Sequence, residues 1–471
     1  MKRRMIFLML GLAFFSLSGQ TVKDKTKPST DIISTTFSPF DTNNAILFNN
    51  LGVHYNETGE YHKAIKYFER AIVIDSNYAE SYNNMGISYN KLENYPIAIE
   101  NYLKSIQLNP DQPETYNNLG VVCSKILDYD EAVTYFRKAI KLRPDYLVAH
   151  QNIGHNYYSM EAYEEAIKTF QDVLKIDPND AESYNIIGLS YYHLGDTVSA
   201  FQSFEETIKR NPRFAPAYTN IGAIYLSGKE YQKAMDFYLQ AKSINPNFPK
   251  VYLSLGNLYY ALEKYDTAIF CYEQFVDLDT ANAFAYFMLG NIHQKLNNNY
   301  SAIQMYNHSL KIDPNQSFVY LSLGDIHVHT NDCKSGIKYY QKAMELDSSN
   351  IGNETYNNMA VAYFRSGIYD TAIYYYEKFA SFNQQNERIP FQIGLCYYMM
   401  KDYKRALPYF EQTTSVEELK GKIYFYLGKT YFALGEKRKS KHAYQTSAQL
   451  GYEPALPYTE RTFKNSYLVD K

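Results

Sequence analysis

The chain has 471 residues, 45% of them hydrophobic and 21% charged, with a formal net charge of −3. That balance excludes wholesale disorder and a bundle of membrane-spanning helices, and it argues against nucleic acid as the partner. The 50 Tyr and 27 Phe, with no Trp at all, form a bias that points to an internal repeat when sustained over such a length.

At the N-terminus, Lys2, Arg3 and Arg4 precede an apolar run from Met5 to Leu17, and Ser16 and Ser18 supply the small residues of a cleavage site. Residues 1–18 therefore read as a signal peptide. The run of 13 residues falls short of the roughly 20 a helix needs to cross the hydrocarbon core. Gln20 follows Gly19, where a bacterial lipoprotein would carry Cys. The expectation is export to the periplasm or the extracellular space of a bacterial cell envelope, without stable membrane insertion after cleavage; an uncleaved signal acting as an anchor is the alternative. Residues 19–44 are rich in Ser and Thr and include Pro28 and Pro39, so they cannot bury enough apolar surface to order themselves and read as a tether.

From there one register runs almost to the end. Gly52, Gly86, Gly120, Gly154, Gly188, Gly222, Gly256, Gly290 and Gly324 follow one another at 34 residues, and after a step of 36 the phase continues through Ala360, Gly394 and Gly428. The twelve repeats start at 45, 79, 113, 147, 181, 215, 249, 283, 317, 353, 387 and 421, and the two additional residues are Ile351 and Gly352. Within each repeat, apolar residues recur three and four apart on two stretches separated by a polar turn such as Leu92-Glu93-Asn94, which predicts a helical hairpin. Neither helix buries its apolar stripe alone, so the hairpins must stack on their neighbours.

Two further positions sharpen the pattern. Ala stands twelve residues after the small residue in ten repeats, from Ala64 to Ala406, with Gly336 and Ser440 as the replacements. Four residues later every repeat is aromatic, from Phe68 and Tyr102 to Phe410 and Tyr444. Small followed by large one turn on is ridge-into-groove packing. Pro110, Pro144, Pro178, Pro212, Pro246 and Pro314 stop the second helix. Over residues 45–454 this resembles the tetratricopeptide repeat, with the first-helix aromatic present as in Tyr82, Tyr116, Tyr184 and Tyr252 and replaced at His150 and Pro390. The resemblance implies an all-α, right-handed superhelical solenoid of twelve helix-turn-helix repeats; residues 455–471 are expected to form a short, partly helical C-terminal cap.

Most of the rings belong to this scaffold, and core packing is their default role. His293 and His327 occupy a Tyr phase, three after the small residue. Asp325, His329 and Cys333 lie four apart, but Cys333 falls in the hairpin turn, so no metal site is expected. Cys123, Cys271, Cys333 and Cys396 show no CxxC spacing and read as isolated buried thiols. No nucleophile elbow, phosphate-cradling Gly loop or zinc helix occurs, and the expectation is a chain without catalytic residues or cofactors. The basic run Lys437, Arg438, Lys439, Lys441 and His442 reads as a solvated outer face.

In this family the first helices line the inner, concave wall, and the residues two and three before the small residue, and one and four after it, look out from it. Asn50, Asn84, Asn118, Asn152 and Asn220 stand two before, and Asn49, Asn83, Asn117 and Asn185 three before. This ladder resembles that in the repeat arm of protein O-GlcNAc transferases, although no glycosyltransferase domain follows. A carboxamide both donates and accepts, so a row of them suits the main chain of an extended peptide; the bland alternative is that Asn solvates the wall or bonds the neighbouring repeat.

Later repeats exchange amides for apolar groups. Leu253, Phe287, Leu321, Phe391 and Phe425 take the inner phase, with Tyr192, Tyr260, Phe364, Tyr398 and Phe432 four after the small residue. They read as an apolar partner surface, or else as rings buried by tighter winding. Repeats that clamp a chaperone's C-terminal carboxylate carry Lys three before the Gly and Asn one after; here Leu253 and Phe287 stand before Asn257 and Asn291, so that clamp is missing. The functional expectation is an exported protein–protein interaction scaffold holding a peptide or apolar helix, monomeric or weakly self-associating. An accessory subunit of a secretion or polysaccharide machine and a self-assembling structural solenoid are the alternatives.

Overall fold

The computed structural model describes residues 44–348, 351–382 and 386–458. The expected signal peptide, the tether up to residue 43 and the end of the expected cap from residue 459 lie outside them. Among the described residues the chain is a succession of antiparallel helix pairs, from α1 (Ala45–Glu57) and α2 (Tyr61–Ile74) in repeat 1 to α23 (Lys420–Ala433) and α24 (Lys437–Gln449) in repeat 12. Two compact units divide it, one ending at Pro178 with repeats 1–4 and the other beginning at Asn179 with repeats 5–12.

Local chemistry sets each helix end. Asn44 caps α1 by accepting the amide of Leu47 at 3.1 Å, and Asp128, Asp196, Asp332 and Asp402 do the same for second helices. The turn inside each hairpin passes through a left-handed residue seven after the small one. In four repeats it is Gly, at Gly59, Gly195, Gly367 and Gly435, but elsewhere Glu93, Leu127, Glu161, Lys229, Glu263, Asn297, Asn331 and Lys401 are held there against their own Cβ. Second helices end two residues before the Pro that follows, as at Leu108 before Pro110, because the intervening Asn109 is forced extended (φ −142°, ψ 105°).

The two helices of a hairpin meet at the Gly phase. A Cβ placed on Gly52 would lie 2.4 Å from Phe68 Cε1, and one on Gly222 would lie 2.5 Å from Tyr238 Cε1. The ring from the second helix lies directly against the first helix at this position, which is why the phase admits only small residues. Ala64, Ala98 and their equivalents are fully buried one turn before the rings. Each ring buried in this way contributes on the order of 2 to 3 kcal/mol of transfer free energy. Within each unit the second helix of one repeat packs on the first of the next, and successive first helices touch, as α1 does with α3 (Ala79–Lys91). Within each unit the first helices therefore form a wall.

The last two repeats depart from the regular spacing. The first helix of repeat 11, α21, begins at Ile389 rather than 387, because Pro390 fits only the first turn. Its partner α22 (Tyr403–Gln412) carries Pro408 and is short. A 3-10 turn at Glu417–Leu419 then leads into α23 at Lys420 rather than 421. Tyr452 and Tyr458 cover the outer side of Phe425 and Tyr444, with the ring centroids of Tyr444 and Tyr458 at 4.8 Å.

Candidate functional site

The first-helix wall is built from a chain of carboxamide pairs. In unit 1 the amide nitrogen of Asn84 donates to Asn49 Oδ1 at 3.0 Å, Asn118 to Asn83 at 3.1 Å and Asn152 to Asn117 at 2.9 Å. In unit 2, Asn220 donates to Asn185 at 3.0 Å. Each pair joins the residue two before the small one to the residue three before it in the preceding repeat. A second row runs beside it, with Ser88 Oγ on Asn56 Oδ1 at 2.7 Å and Ser124 Oγ on Asn156 Oδ1 at 2.9 Å.

This pairing divides the predicted ladder. Asn49, Asn117 and Asn185 are buried and Asn83 half-buried; their oxygens accept from the next repeat, so they brace the wall rather than face a ligand. That corrects their assignment as contact residues: successive first helices approach closely enough to close over the position. Asn220 is buried as well, and its oxygen takes the Lys250 ammonium at 3.4 Å. Asn50 is exposed, and Asn84, Asn118 and Asn152 are half-buried. Among the described residues, the pairs use one N–H of Asn118 and of Asn152 and leave the second N–H and the oxygen of each unspent.

The predicted apolar surface divides in the same way. Leu253, Phe287, Phe391 and Phe425 are buried, against the expectation of an exposed stripe. Phe287 packs edge-on to Phe318 with centroids 4.6 Å apart, and Phe425 lies against Tyr444 and Tyr452. An apolar side chain at the phase where Asn bonds its neighbour fills the same gap between repeats by packing. Leu321 is half-buried against the cluster around Tyr340 and Met359. Tyr192, Tyr260, Phe364 and Tyr398 are half-buried, the last three edge-on to Tyr265, Tyr369 and Tyr403 of their own hairpins. Phe432 is 49% exposed.

Sequence reasoning missed a coupling between the two helices of repeats 7 to 9. Tyr272 donates to Asn257 Oδ1 at 2.7 Å, Tyr306 to Asn291 Oδ1 at 2.7 Å, and Tyr340 to Asp325 Oδ1 at 2.6 Å. Burial, then the Asp325 carboxylate, holds the Tyr340 phenol far above its ordinary range. Part of the signal was present: Asn257, Asn291 and Asp325 follow the Gly in the three repeats where Tyr272, Tyr306 and Tyr340 stand on the second helix, whereas Phe68, Phe136 and Phe204 occur with Val53, Val121 and Leu189.

Among the described residues no group of three His, Cys, Asp or Glu side chains is placed to hold a metal ion. His329 Nδ1 lies 2.7 Å from the Asp325 carbonyl oxygen, and Cys333 is buried. Burial pushes the Cys123 and Cys396 thiols up to about 12 and Cys271 to about 11. In the basic run, Lys439 pairs with Glu436 and lies over the Tyr431 ring.

The family comparison matches this architecture along most of its length. The tetratricopeptide repeat matches residues 42–111, 77–145 and 111–179, then 186–213, 215–248, 256–297, 285–316 and 319–350. This chain is a tetratricopeptide-repeat protein. The family consists in general of non-catalytic protein–protein interaction scaffolds, whose partners are proteins or peptides. Residues 365–447 also match the family of anaphase-promoting complex, cyclosome, subunit 3. No curated protein matches the sequence. Solved structures similar to this tetratricopeptide-repeat chain include the MamA protein, at 24% identity over 37% of this chain and 95% of that one, with a TM-score of 0.34. YrrB, described as a TPR protein with an unusual peptide-binding site, is similar at 22% identity over 38% of this chain and 92% of that one, with a TM-score of 0.34. Yeast Tom70 covers 84% of this chain and 96% of its own at 16% identity and a TM-score of 0.37.

Proposed function

We propose that this tetratricopeptide-repeat chain is an exported scaffold, without a catalytic site of its own, that holds an extended polypeptide segment against the wall of its first helices. The observation that carries this reading is the fixed row of half-spent amides at Asn84, Asn118 and Asn152. Each is oriented by its bond to the preceding repeat and keeps a donor unused; Asn118 and Asn152 also keep their oxygens, whereas Asn84 Oδ1 accepts the Asn83 amide at 3.4 Å. Such a row is matched to the alternating N–H and C=O groups of a main chain, and its orientation is set before binding, which lowers the ordering cost of association. Asn50 extends the row at its exposed end, and the buried amides beneath act as braces. In unit 2, the half-exposed rings Tyr192, Tyr260, Phe364 and Tyr398 with Phe432 offer apolar contact to side chains of a segment held on that unit's own first helices. Export rests on the basic and apolar N-terminal segment. Among the described residues no helix is long and apolar enough to cross a membrane.

The test is backbone chemistry. Peptides selected from a random library on the full chain are resynthesised with N-methyl groups on alternate residues, which removes main-chain donors and leaves the side chains in place. The reading predicts a loss of affinity of about tenfold or more, from two or more hydrogen bonds at roughly 1 kcal/mol each. Equal affinity for the methylated peptides would overturn it.

A further inference from the structure

The first-helix wall of repeats 5–11 is almost without formal charge. At the residues three and two before the small residue, and one and four after it, these repeats carry a single carboxylate, Asp325, and no Lys or Arg. Lys250 joins them from one helical turn before Ser254 on α13 (Pro249–Ala261), and therefore shares that face. Its ammonium donates to Asn220 Oδ1 at 3.4 Å, and Asn220 in turn donates to Asn185, so the lysine points along the wall. Of the other charges at this earlier phase, Arg388 pairs with Glu418, and Glu182 and Glu354 are exposed.

Both wall charges have neutral partners only. Asp325, on α17 (Ser317–His329), accepts Tyr340 Oη at 2.6 Å and Asn358 Nδ2 at 2.8 Å, and both bonds end on Oδ1. The nearby histidines are engaged elsewhere, His327 with Asp332 and His329 with the Asp325 backbone carbonyl. Among the described residues no Lys or Arg forms an ion pair with Asp325, and no Asp or Glu forms one with Lys250. Both side chains are half-buried. Burial pulls the Lys250 ammonium below its ordinary range, and no carboxylate offsets it. A charge withdrawn from water and given only dipoles is under-stabilised, and an opposite charge brought to it recovers that loss.

We propose that Lys250 and Asp325 select the segment bound along this wall, which carries an acidic side chain where it passes Lys250 and a basic one where it passes Asp325. The inference rests on the peptide-holding reading above and narrows it to a mixed-charge partner. The remaining wall, being amide and apolar, then discriminates little, and the two charges fix which segment binds and in which register.

The probes are fluorescein-labelled peptides of one neutral extended sequence, unchanged, with one Glu, with one Lys, or with both at several spacings. Anisotropy titrations use the full chain as wild type, Lys250→Met and Asp325→Asn. The Asn replacement keeps an oxygen for Tyr340 and Asn358, and circular dichroism verifies that each variant is folded. The proposal expects the Glu peptide to bind wild type at least about fivefold tighter than the neutral one, and to lose that preference in Lys250→Met. The Lys peptide should lose its preference in Asp325→Asn, and one spacing of the doubly charged peptide should exceed either. If the neutral peptide binds and the charged ones bind no tighter, or if their preferences survive in the variants, charge selection is overturned while the peptide-holding reading stands. Binding of charged peptides without the neutral one supports charge selection and removes the main-chain grip. No binding of any peptide overturns both.

Discussion

Replacing Gly188 by Leu tests the packing on which every repeat depends. A Cβ at Gly188 would lie 2.7 Å from Phe204 Cε1, 2.8 Å from Cδ1 and 3.1 Å from Cζ, all inside ordinary van der Waals contact. Phe204 is 1% exposed and has no room to swing aside. Overpacking of a filled core costs about 1 to 3 kcal/mol, and an isobutyl group belongs at the upper end of that range. Replacing a mid-helix Gly returns about 0.5 to 1 kcal/mol of helix propensity. The net expectation is a destabilisation of about 2 kcal/mol for Gly188→Leu and a smaller one for Gly188→Ala, consistent with the natural Ala360 facing Tyr376 in repeat 10. Urea unfolding followed by circular dichroism and by tyrosine fluorescence measures it, and both probes are needed because repeat arrays need not unfold in one step. Adding Phe204→Ala removes the clashing ring, so the double variant should be more stable than the sum of the two losses. A midpoint unchanged by Gly188→Leu, or strict additivity in the pair, would refute the contact.

The amide pairs predict a contrast between neighbours of one type: Asn152→Ala, which strands the buried oxygen of Asn117, should cost about 1 to 2 kcal/mol, whereas Asn50→Ala at the exposed end should cost under about 0.5, and equal costs in thermal unfolding would deny the pairing. Leu127, 70% exposed at φ 64°, should be replaced by Gly with a gain of up to about 1 kcal/mol, and a loss in the same assay would show that its left-handed turn is not strained. Burial raises the phenols of Tyr102, Tyr238 and Tyr306 above their ordinary value of 10.0. Ionisation then favours the unfolded chain, so the stability these groups contribute is whole below pH 10 and is lost as pH rises beyond it. Tyrosinate absorbance from these residues should appear together with loss of helix, and full titration near pH 10 with helicity retained would contradict their burial. The thiols of Cys123, Cys271 and Cys396 should resist iodoacetamide at neutral pH in the folded chain and react in denaturant; rapid labelling of the folded chain would count against their placement.

The hairpins were legible because two periodicities coincide: helical spacing within a repeat, and a 34-residue phase that places Gly opposite a ring in nearly every repeat. Stacking of this kind depends on neighbours only, so a local pattern dictates it. The left-handed turn at Leu127 was not legible, since Leu has no preference for that region and the turn is imposed by the helices on either side. The split of the Asn ladder was also hidden. Asn117 and Asn118 are adjacent and identical in type, and only the distance between successive first helices decides that one is buried as an acceptor and the other half-exposed as a donor. Phe391 and Phe425 occupy an amide phase, which suggests surface rings; the structure instead packs Phe391 against Tyr426 of the next repeat and Phe425 beneath Tyr452 and Tyr458 after the last one. Lys250 and Asp325 carry no motif, and their interest arises from neutral surroundings contributed by other repeats.

The most direct test of partner binding along the first-helix wall is site-specific photo-cross-linking to a library-selected peptide. A photoreactive amino acid is placed in turn at Asn50 and Tyr260 on that wall, and at Val73 and Leu239, which are exposed on second helices. The account predicts covalent capture of the peptide at one or both of the first two positions, each on the wall of its own unit, and none at the others. Capture at Val73 or Leu239 without capture at Asn50 or Tyr260 would contradict it.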